Sequence, residues 1–240
     1  MNELETNINS MIANGNRLEL PTDNVFKNYA LVKKTMIKAG GKYVKNGFVF
    51  PSDATEIKMR LSGGEKIDDK KKFQFFATPS TLAKRLVEFA EVGPTDDVLE
   101  PSAGQGAILE HIPKCRSITV VELMPENNKV LRKLGYPVWE CDFLTLREHE
   151  IGFKFDRIIA NPPFTNNQDI DHITHMYSLL DDSGILVSIS SNSWRTGLQK
   201  KQVAFRDWLN TQDRLVLDLP AGTFKESGTN VDANIIVIYK

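Results

Sequence analysis

The sequence DRIIANPPF, residues 156–164, decides the fold, because it is a short apolar run that stops abruptly at two prolines. Pro162 and Pro163 have no N–H to donate to a sheet, and each fixes its own φ at about −65°. Asn161 and Pro162 each precede a proline and are therefore pushed toward extended backbone. The pattern predicts a strand that ends in a rigid loop carrying the Asn161 side chain, two backbone carbonyls and the Phe164 ring. In open α/β sheets, ligands bind at this edge.

A second stretch, DVLEPSAGQGAIL at residues 97–109, predicts a strand, a glycine-rich turn and a helix. Gly104 and Gly106 would let the backbone pass close to a ligand. A dinucleotide fingerprint would need a small residue three positions after Gly106, where Leu109 stands. Glu100 at the strand end would repel a pyrophosphate and attract an ammonium group. The charge therefore favours a ligand with a cationic group over a dinucleotide.

Two more acidic residues follow predicted strands. Glu122 comes after the apolar run at 118–121, and Asp142 lies at the end of a predicted third strand. An acidic residue at the end of the second strand is placed to accept hydrogen bonds from both hydroxyls of a ribose. Each acid alone is more often a surface or capping residue. Three acidic strand ends followed by Asn161, in this order, favour a binding site.

The motif at 161–164 and the Glu-Pro-x-Ala-Gly-x-Gly run at 100–106 resemble the Asn-Pro-Pro-Phe class of S-adenosylmethionine-dependent adenine-N6 DNA methyltransferases, in particular small plasmid and phage enzymes. The resemblance covers residues 73–240. It implies a class I methyltransferase fold, a Rossmann-like, doubly wound α/β sheet of seven mostly parallel strands with an antiparallel last strand. A small N-terminal α+β extension would precede it. The implied reaction is methylation of the exocyclic N6 amino group of adenine in DNA.

The chemistry fits the loop, because the amino nitrogen of adenine is a poor nucleophile whose lone pair is delocalised into the ring. The Asn161 side-chain oxygen and the Pro162 carbonyl could each accept one N–H hydrogen bond, which directs the lone pair toward the methyl group. In a flipped-out base, Phe164 would stack on one face, and the resemblance assigns a second contact to Phe224. The alternative for Phe224 is a core position in the terminal hairpin. The alternative for the loop is an ordinary turn.

The resemblance also implies a set of cofactor contacts. Glu122 would bind the ribose hydroxyls, Asp142 would accept from the adenine amine, and Leu123 and Phe143 would lie near the adenine ring. Thr78 precedes a predicted helix at 80–91 and would lie over the methionine end, although N-capping of that helix is its alternative role. The full predicted set is Thr78, Glu100, Ser102, Gly104, Gly106, Glu122, Leu123, Asp142, Phe143 and Asn161.

Composition bounds the class of protein. The net charge is −1, and 41% of the residues are hydrophobic, as in ordinary globular proteins. The longest apolar run falls short of the ~18 residues that span a bilayer, and the first ten residues lack the features of a signal peptide. Cys115 and Cys141 form no CxxC pair, so we expect a cytoplasmic protein with free thiols. His172 and His175 make a thin ligand set, so we predict no metal site.

The positive charge is concentrated before residue 73. Residues 1–72 hold 13 Lys/Arg and 9 Asp/Glu, a balance of +4, whereas residues 73–240 hold 17 and 22, a balance of −5. We expect a helix at 25–39 and a hairpin with an Asn46-Gly47 turn in this extension. Residues 1–20 look frayed or loosely docked, and the extension looks too small for much of a core of its own. Its lysines, Lys70, Lys71 and Lys72 among them, are predicted to contact the DNA backbone, or else form a solvated face.

The resemblance departs from many relatives in one respect. Those relatives carry a large target-recognition domain, and none is recognisable in residues 73–240. We therefore expect residues 1–72, a separate recognition subunit or self-association to supply DNA recognition. One rival interpretation is an RNA methyltransferase or a protein methyltransferase acting on glutamine amides. Another is a non-catalytic, DNA-binding anti-restriction module, against which the complete set of Glu100, Glu122, Asp142 and Asn161 argues.

Overall fold

A computed structural model describes residues 2–22, 25–50, 53–65, 67, 77–225 and 231–240 of the chain. It divides into two compact units, Met1–Gln74 and Phe75–Lys240. Lys70, Lys71 and Lys72, for which DNA contacts are predicted, lie outside the described residues. Each unit is described by itself below.

The first unit is a small α+β unit built around a four-stranded antiparallel sheet in the order β1-β2-β4-β3. Its elements are, in chain order, α1 Glu3–Ser10, β1 Ile12–Asn14, β2 Arg17–Glu19, α2 Tyr29–Lys38, β3 Lys42–Tyr43, β4 Gly47–Val49 and α3 Ala54–Ser62. The predicted helix at 25–39 therefore begins four residues later than expected, at Tyr29, and ends at Lys38.

The first unit corrects two expectations from the sequence. The described residues 2–20 do not fray, because a capping box between Asn2 and Glu5 starts α1, and Ile8 is buried on the inner face of that helix. The unit also has its own core, in which Ile8, Leu18, Met36 and Phe48 are almost fully buried. Apolar residues of α1, α2 and the sheet pack into one core. The polar sequence at the start of the chain does not reveal these contacts.

The predicted hairpin is present, with a turn centred one residue earlier than expected. The Val44 N–H donates to the Gly47 carbonyl over 2.9 Å, and the two central residues, Lys45 and Asn46, have φ values of 38° and 59°. Two consecutive positive φ values are typical of a type I′ turn, whose twist matches the strands. Gly47 is needed just after the turn, because a Cβ there would lie 2.6 Å from the Leu18 carbonyl oxygen.

The second unit contains a mostly parallel sheet in which the described residues form seven strands, in the order β10-β11-β9-β8-β5-β6-β7. Only β11 runs against its neighbours β9 and β10 among these strands. The elements are α4 Ser80–Ala90, β5 Asp97–Glu100, β6 Ser117–Val121, α5 Pro125–Lys133, β7 Val138–Trp139, α6 Glu148–Ile151, β8 Phe155–Ala160, α7 Gln168–Leu179, β9 Leu180–Ser191, α8 Ser193–Thr196, α9 Lys200–Asn210, β10 Asp213–Asp218 and β11 Ala233–Tyr239. The predicted seven-stranded, doubly wound sheet is confirmed.

The central strand β8 is buried on both faces over residues 158–160, as this short apolar run predicts. Ile158 packs into one core with Ile173 of α7, whereas Ile159 packs into the opposite core with Leu86 of α4. Alternate residues of a strand point to opposite faces, so these two neighbours hold the two helical layers to one sheet. Strand β8 ends at Ala160, before the two prolines that cannot continue the sheet, and Asn161 therefore stands at its carboxyl end.

The glycine-rich turn is followed by less helix than predicted. Only a single 3₁₀ turn forms, at Leu109–His111. Pro113 follows closely, and a proline disfavours helical backbone in the residue before it and donates no helical hydrogen bond. Within the described ranges, no helix combines the length and the apolar character that crossing a membrane requires.

Candidate functional site

Three of the predicted site residues meet at one edge of the sheet. Strand β5 pairs in parallel with both β6 and β8, so all three strands end on the same side. Glu100 is the last residue of β5, Glu122 follows β6, and Asn161 follows β8. The edge therefore collects two carboxylates and one amide, as the strand-end argument predicts.

Glu100 is a buried carboxylate with an unused acceptor. Its exposed fraction is 1%, and its Oε2 atom has no hydrogen-bond partner among the described residues. Burial and the nearby charge of Glu122 raise the pKa of Glu100 well above its ordinary value, although a hydrogen bond from the Leu109 backbone opposes this. A buried carboxylate that lacks a partner is costly by itself and is stabilised by a cation. The arrangement fits a ligand with an ammonium group.

Glu122 connects the end of β6 to the glycine-rich turn. Its Oε2 accepts from the Gly104 N–H over 2.7 Å, and its Oε1 accepts from the Met124 N–H over 2.6 Å. Burial raises the pKa of Glu122, and these backbone hydrogen bonds limit the increase. Each carboxylate oxygen has a further lone pair, so the residue can still accept from ligand hydroxyls. Gly104 and Gly106 have φ values of 57° and 88°, the left-handed region that glycine adopts without strain.

Asp142 and Leu123 lie at the part of the edge where the adenine of the cofactor is predicted. Asp142 is exposed, and its Oδ1 accepts from the Leu144 N–H over 3.0 Å, which caps a short 3₁₀ turn. Leu123 is 51% exposed. Phe143, by contrast, is buried and packs against the rings of His172 and His175. Its predicted contact with the adenine ring stays a prediction, since the structure shows a supporting position below the loop.

Ser102 and His172 join the cofactor loop to helix α7. The Ser102 Oγ lies 3.4 Å from the His172 Nδ1. Burial lowers the pKa of His172 to about 4, although the charges of Asp142 and Asp171 act in the opposite direction. The ring is therefore neutral at physiological pH. Sequence analysis assigned it no role, and its place behind both Ser102 and Phe143 gives it a supporting one.

The Asn-Pro-Pro-Phe loop is attached to the start of α4. The Asn161 Nδ2 donates to the Thr78 Oγ1 over 3.0 Å. Thr78 is not the N-cap of α4, since Pro79 occupies that position and makes no side-chain capping bond. Pro162 is buried, and the half-buried Phe164 packs against the core on the α4 side of the sheet. Because Thr78 takes the amide N–H, it fixes the direction of the Asn161 amide oxygen.

Phe224 lies in the core rather than on a surface. Its exposed fraction is 2%, and it belongs to the same buried cluster as Leu82 and Leu86 of α4. This is the alternative position weighed for it in the sequence. Contact with a substrate base stays a prediction, and it would require the ring to leave this packing.

The structure also reveals an anchor of the Asn-Pro-Pro-Phe loop that the sequence did not indicate. Asn167 has left-handed backbone, with φ 56° and ψ 39°, and stands just before α7. Its Oδ1 accepts from the Ser193 Oγ and the Gln202 Nε2, over 3.0 and 3.1 Å. Its Nδ2 donates to the Gln199 Oε1 over 2.9 Å. The downstream end of the loop is therefore tied to α8 and α9.

Asp169 extends this anchor into the sheet. It is fully buried, and its Oδ2 accepts from the Ser190 hydroxyl and from both the N–H and the hydroxyl of Ser191, over 2.8–3.0 Å. Its Oδ1 has no partner among the described residues, and burial raises its pKa. The Asn166-Asn167 pair was the signal for this anchor in the sequence, because asparagine tolerates left-handed backbone. The serines at the end of β9 were a second signal.

No protein-family model matches the chain. A curated relative, the ribosomal RNA small subunit methyltransferase A of Chlorobium phaeobacteroides, is 32% identical over 137 residues. The match covers 55% of this chain and 49% of that protein. The chain thus spans about half the length of this relative.

Two solved structures resemble the chain more broadly. A type I restriction-modification methyltransferase subunit from Streptococcus thermophilus has a TM-score of 0.57 at 18% identity, over 69% of this chain and 45% of that one. The type I restriction enzyme EcoKI M protein has a TM-score of 0.58 at 15% identity, over 98% of this chain and 56% of that one. At 15–18% identity, these two solved structures share the fold of this chain. The fold is that of the class I S-adenosylmethionine-dependent methyltransferases.

Proposed function

We propose that this protein transfers a methyl group from S-adenosylmethionine to the exocyclic N6 amino group of adenine in DNA. The proposal depends on one observation above all. Asn161 stands at the carboxyl end of β8 with its amide held by Thr78, on the edge where the Oε2 atom of the buried Glu100 has no hydrogen-bond partner among the described residues. The reaction needs an amide acceptor for the substrate amine and a site for the ammonium group of the cofactor, and both must lie at one edge of the sheet.

The residues of the edge fit S-adenosylmethionine. Glu100 would hold the methionine ammonium, Glu122 the ribose hydroxyls and Asp142 the adenine amine. Gly104 and Gly106 would let the turn pass close to the ligand. When bound, S-adenosylmethionine supplies a methyl group activated by a sulfonium. The carboxylates order this ligand at a fixed position, so that one end of the transfer is preorganised.

The other end of the transfer depends on the Asn-Pro-Pro-Phe loop. The Asn161 side-chain oxygen and the Pro162 carbonyl each accept one N–H of the substrate amine. These hydrogen bonds draw the nitrogen lone pair out of the ring and toward the incoming methyl group. Phe164 stacks on the flipped base, and the loop prolines hold the two acceptors in place without reorganisation.

The proposal of DNA as the substrate is suggested by the names of the two solved structures described above. Both are methyltransferase subunits of type I restriction-modification systems. We propose a role in restriction-modification, with a separate subunit for sequence recognition. A second candidate is adenine in ribosomal RNA, which the 32% identity to a ribosomal RNA methyltransferase favours. The same loop serves either polymer, because it contacts only the base.

The experiment that tests the proposal compares acceptors directly. The protein is incubated with methyl-labelled S-adenosylmethionine and unmethylated duplex DNA, ribosomal RNA or cell protein, and the labelled product is digested and identified. We expect N6-methyladenine in the DNA, formed roughly 10²–10³ times more slowly with Asn161→Ala as the matched control. Label in ribosomal RNA alone would establish the second candidate. Label in protein alone, or in no acceptor, would contradict both.

A further inference from the structure

The charges of the first unit are segregated along its sequence. Residues 25–50 contain six lysines and no aspartate or glutamate, whereas all nine acidic residues of 1–72 lie outside this segment. In a segment that only forms a solvated face, positively and negatively charged residues would be interspersed. The segment therefore has a charge of +6 within a unit whose other charges largely cancel.

The fold brings the two halves of this segment together. The segment consists of α2 followed by the β3–β4 hairpin, and α2 packs against β3. Lys42, Tyr43 and Lys45 are exposed, and Lys33 is half-buried. We call Lys33, Lys42, Tyr43 and Lys45 the hairpin surface. Lys45 lies at the tip of the turn, where φ is 38°.

Tyr43 organises the hairpin surface. Its ring is 42% exposed and packs edge-on against the buried Phe48 at a centroid distance of 5.4 Å. The Lys33 Nζ lies 5.0 Å from the centroid of the Tyr43 ring, within the range of a cation–π interaction. An ammonium group is thus held near the ring of a residue that also carries a phenol hydroxyl. Both groups are hydrogen-bond donors that proteins use on phosphate oxygens.

The hairpin tip is held in one conformation. Besides the bond that closes the turn, the Leu20 N–H donates to the Asn46 carbonyl over 3.0 Å. The Arg17 guanidinium donates to the Lys45 carbonyl and also pairs with Glu19. Two contacts, one from Arg17 of the neighbouring strand and one from Leu20 just after it, therefore fix the backbone of a two-residue turn. A rigid tip loses little conformational entropy when it binds, so its charges act at a low ordering cost.

We propose that the hairpin surface binds the sugar-phosphate backbone of duplex DNA without regard to base sequence. The choice of DNA among polyanions rests on the proposed function. The surface combines mobile and fixed ammonium groups with a tyrosine hydroxyl on a rigid hairpin, and it has no acidic residue in its own segment. Such a contact holds the polymer on the protein while the site at the sheet edge reads the base.

The test uses the full chain and a duplex that contains only G·C pairs, so that binding is measured without a target adenine. In the variant Lys33→Ala/Lys42→Ala/Lys45→Ala, fluorescence anisotropy should show at least about tenfold weaker binding at low salt. The slope of log K against log salt should fall by roughly 2–3, since each lost phosphate contact removes about 0.9. Tyr43→Phe should weaken binding less than Tyr43→Ala, because it keeps the ring beside Lys33.

The matched control is Lys114→Ala/Lys133→Ala/Lys154→Ala, which removes the same charge. Lys114 and Lys154 precede β6 and β8, and Lys133 ends α5, so none of them belongs to the carboxyl edge of the sheet. The control should keep the parental affinity and salt slope. The exposed single variants Lys42→Gln and Lys45→Gln repeat the test if the triple variant does not fold.

Two outcomes would overturn the inference. One is an unchanged affinity and salt slope in the triple variant and in both single variants. The other is binding to phosphatidylglycerol vesicles that depends on these lysines while duplex binding does not. Because the probe has no adenine, failure here leaves the methylation result standing. Conversely, lysine-dependent duplex binding without any methyl transfer would contradict the proposed function alone.

Discussion

At the scale of single residues, Asn161 combines two tasks, since its amide N–H is held by Thr78 and its oxygen is proposed to accept from the substrate. Asn161→Ala removes one transition-state hydrogen bond, whereas the Pro162 carbonyl belongs to the backbone and remains. We expect a loss of about 3–4 kcal/mol, or roughly 10²–10³ in single-turnover rate, by analogy with other preorganised groups. Asn161→Asp should be milder, because a carboxylate still accepts.

In Asn161→Ala, cofactor affinity should change less than the single-turnover rate, and stability should fall only by about 0.5–1.5 kcal/mol, the contribution of the lost hydrogen bond to Thr78. Thr78→Val is the informative companion variant, because it keeps the shape and removes only the acceptor that orients the amide. Its rate should lie between those of the parent and Asn161→Ala. A parental rate in Asn161→Ala would show that the loop only terminates the strand.

The Glu100 carboxylate is proposed to favour cofactor binding, whereas its burial in the charged form lowers the stability of the fold. Its folded-state pKa is raised above the ordinary value of 4.5 by burial and by Glu122. The stability that the protonated group contributes is complete below pH 4.5 and is lost as the pH rises toward the folded-state pKa. Glu100→Gln should therefore melt at a higher temperature than the parent at neutral pH, with the difference vanishing near pH 4.

The same variant should bind S-adenosylmethionine about 10–100-fold more weakly, because a hydrogen bond to a charged partner contributes roughly 1.5–3 kcal/mol. Calorimetric titration and thermal unfolding across pH measure the two effects. Glu88→Gln on the exposed face of α4 is the control for loss of one carboxylate. Unchanged cofactor affinity in Glu100→Gln would remove Glu100 from the site.

At the scale of elements, the sequence predicts most of what periodicity and proline control. The two prolines after Asn161 predict the end of β8, and the apolar runs predict the central strands. What escaped prediction depends on tertiary contacts. The core formed by Ile8, Leu18 and Phe48 unites distant segments, and the helix expected after Gly106 stops at a single turn.

The same limit applies to the site. Strand order brings Glu100, Glu122 and Asn161 to one edge, and this could be predicted from their positions at strand ends. The hydrogen bonds of Asn167 to α8 and α9 could not, because they join residues more than 25 positions apart. For Phe224, the family resemblance suggested a substrate contact, but the motif alone does not reveal whether the ring is buried.

The segment between β8 and α7 offers a prediction about backbone strain. Asn166 and Asn167 both have φ near 56°, but only Asn167 is bonded to α8 and α9. Asn167→Ala loses these bonds and also places a Cβ residue in left-handed backbone. It should lose about 1–3 kcal/mol more stability than Asn167→Gly, which avoids the strain. Both should slow methyl transfer, because the catalytic loop loses its downstream anchor.

Asn166→Gly is the control, since Asn166 is exposed and has the same backbone conformation. It should change stability and rate only slightly. Thermal unfolding gives the stability difference, and kcat and KM separate a displaced loop from weaker substrate binding. Equal behaviour of Asn166→Gly and Asn167→Gly would show that the bonds of Asn167 do not position the loop.

At the scale of the whole molecule, each compact unit has its own buried core. The proposed cofactor contacts all lie in the second unit. The sheet of the second unit and its helices bury apolar residues on both faces, and the basic segment at 25–50 belongs to the first. Cofactor binding and backbone binding should therefore separate when the chain is divided.

We expect residues 77–240, produced alone, to unfold cooperatively and to bind S-adenosylmethionine as the full chain does. At a ligand concentration about 100 times Kd, binding should stabilise the fragment by roughly 2.7 kcal/mol, as it stabilises the full chain. Its affinity for the G·C duplex should fall together with the salt slope, because the lysines of 25–50 are missing. Differential scanning calorimetry with and without ligand, alongside anisotropy on both proteins, measures this. A fragment that melts without cooperativity, or that shows no ligand shift while the full chain does, would mean that the two cores are energetically coupled.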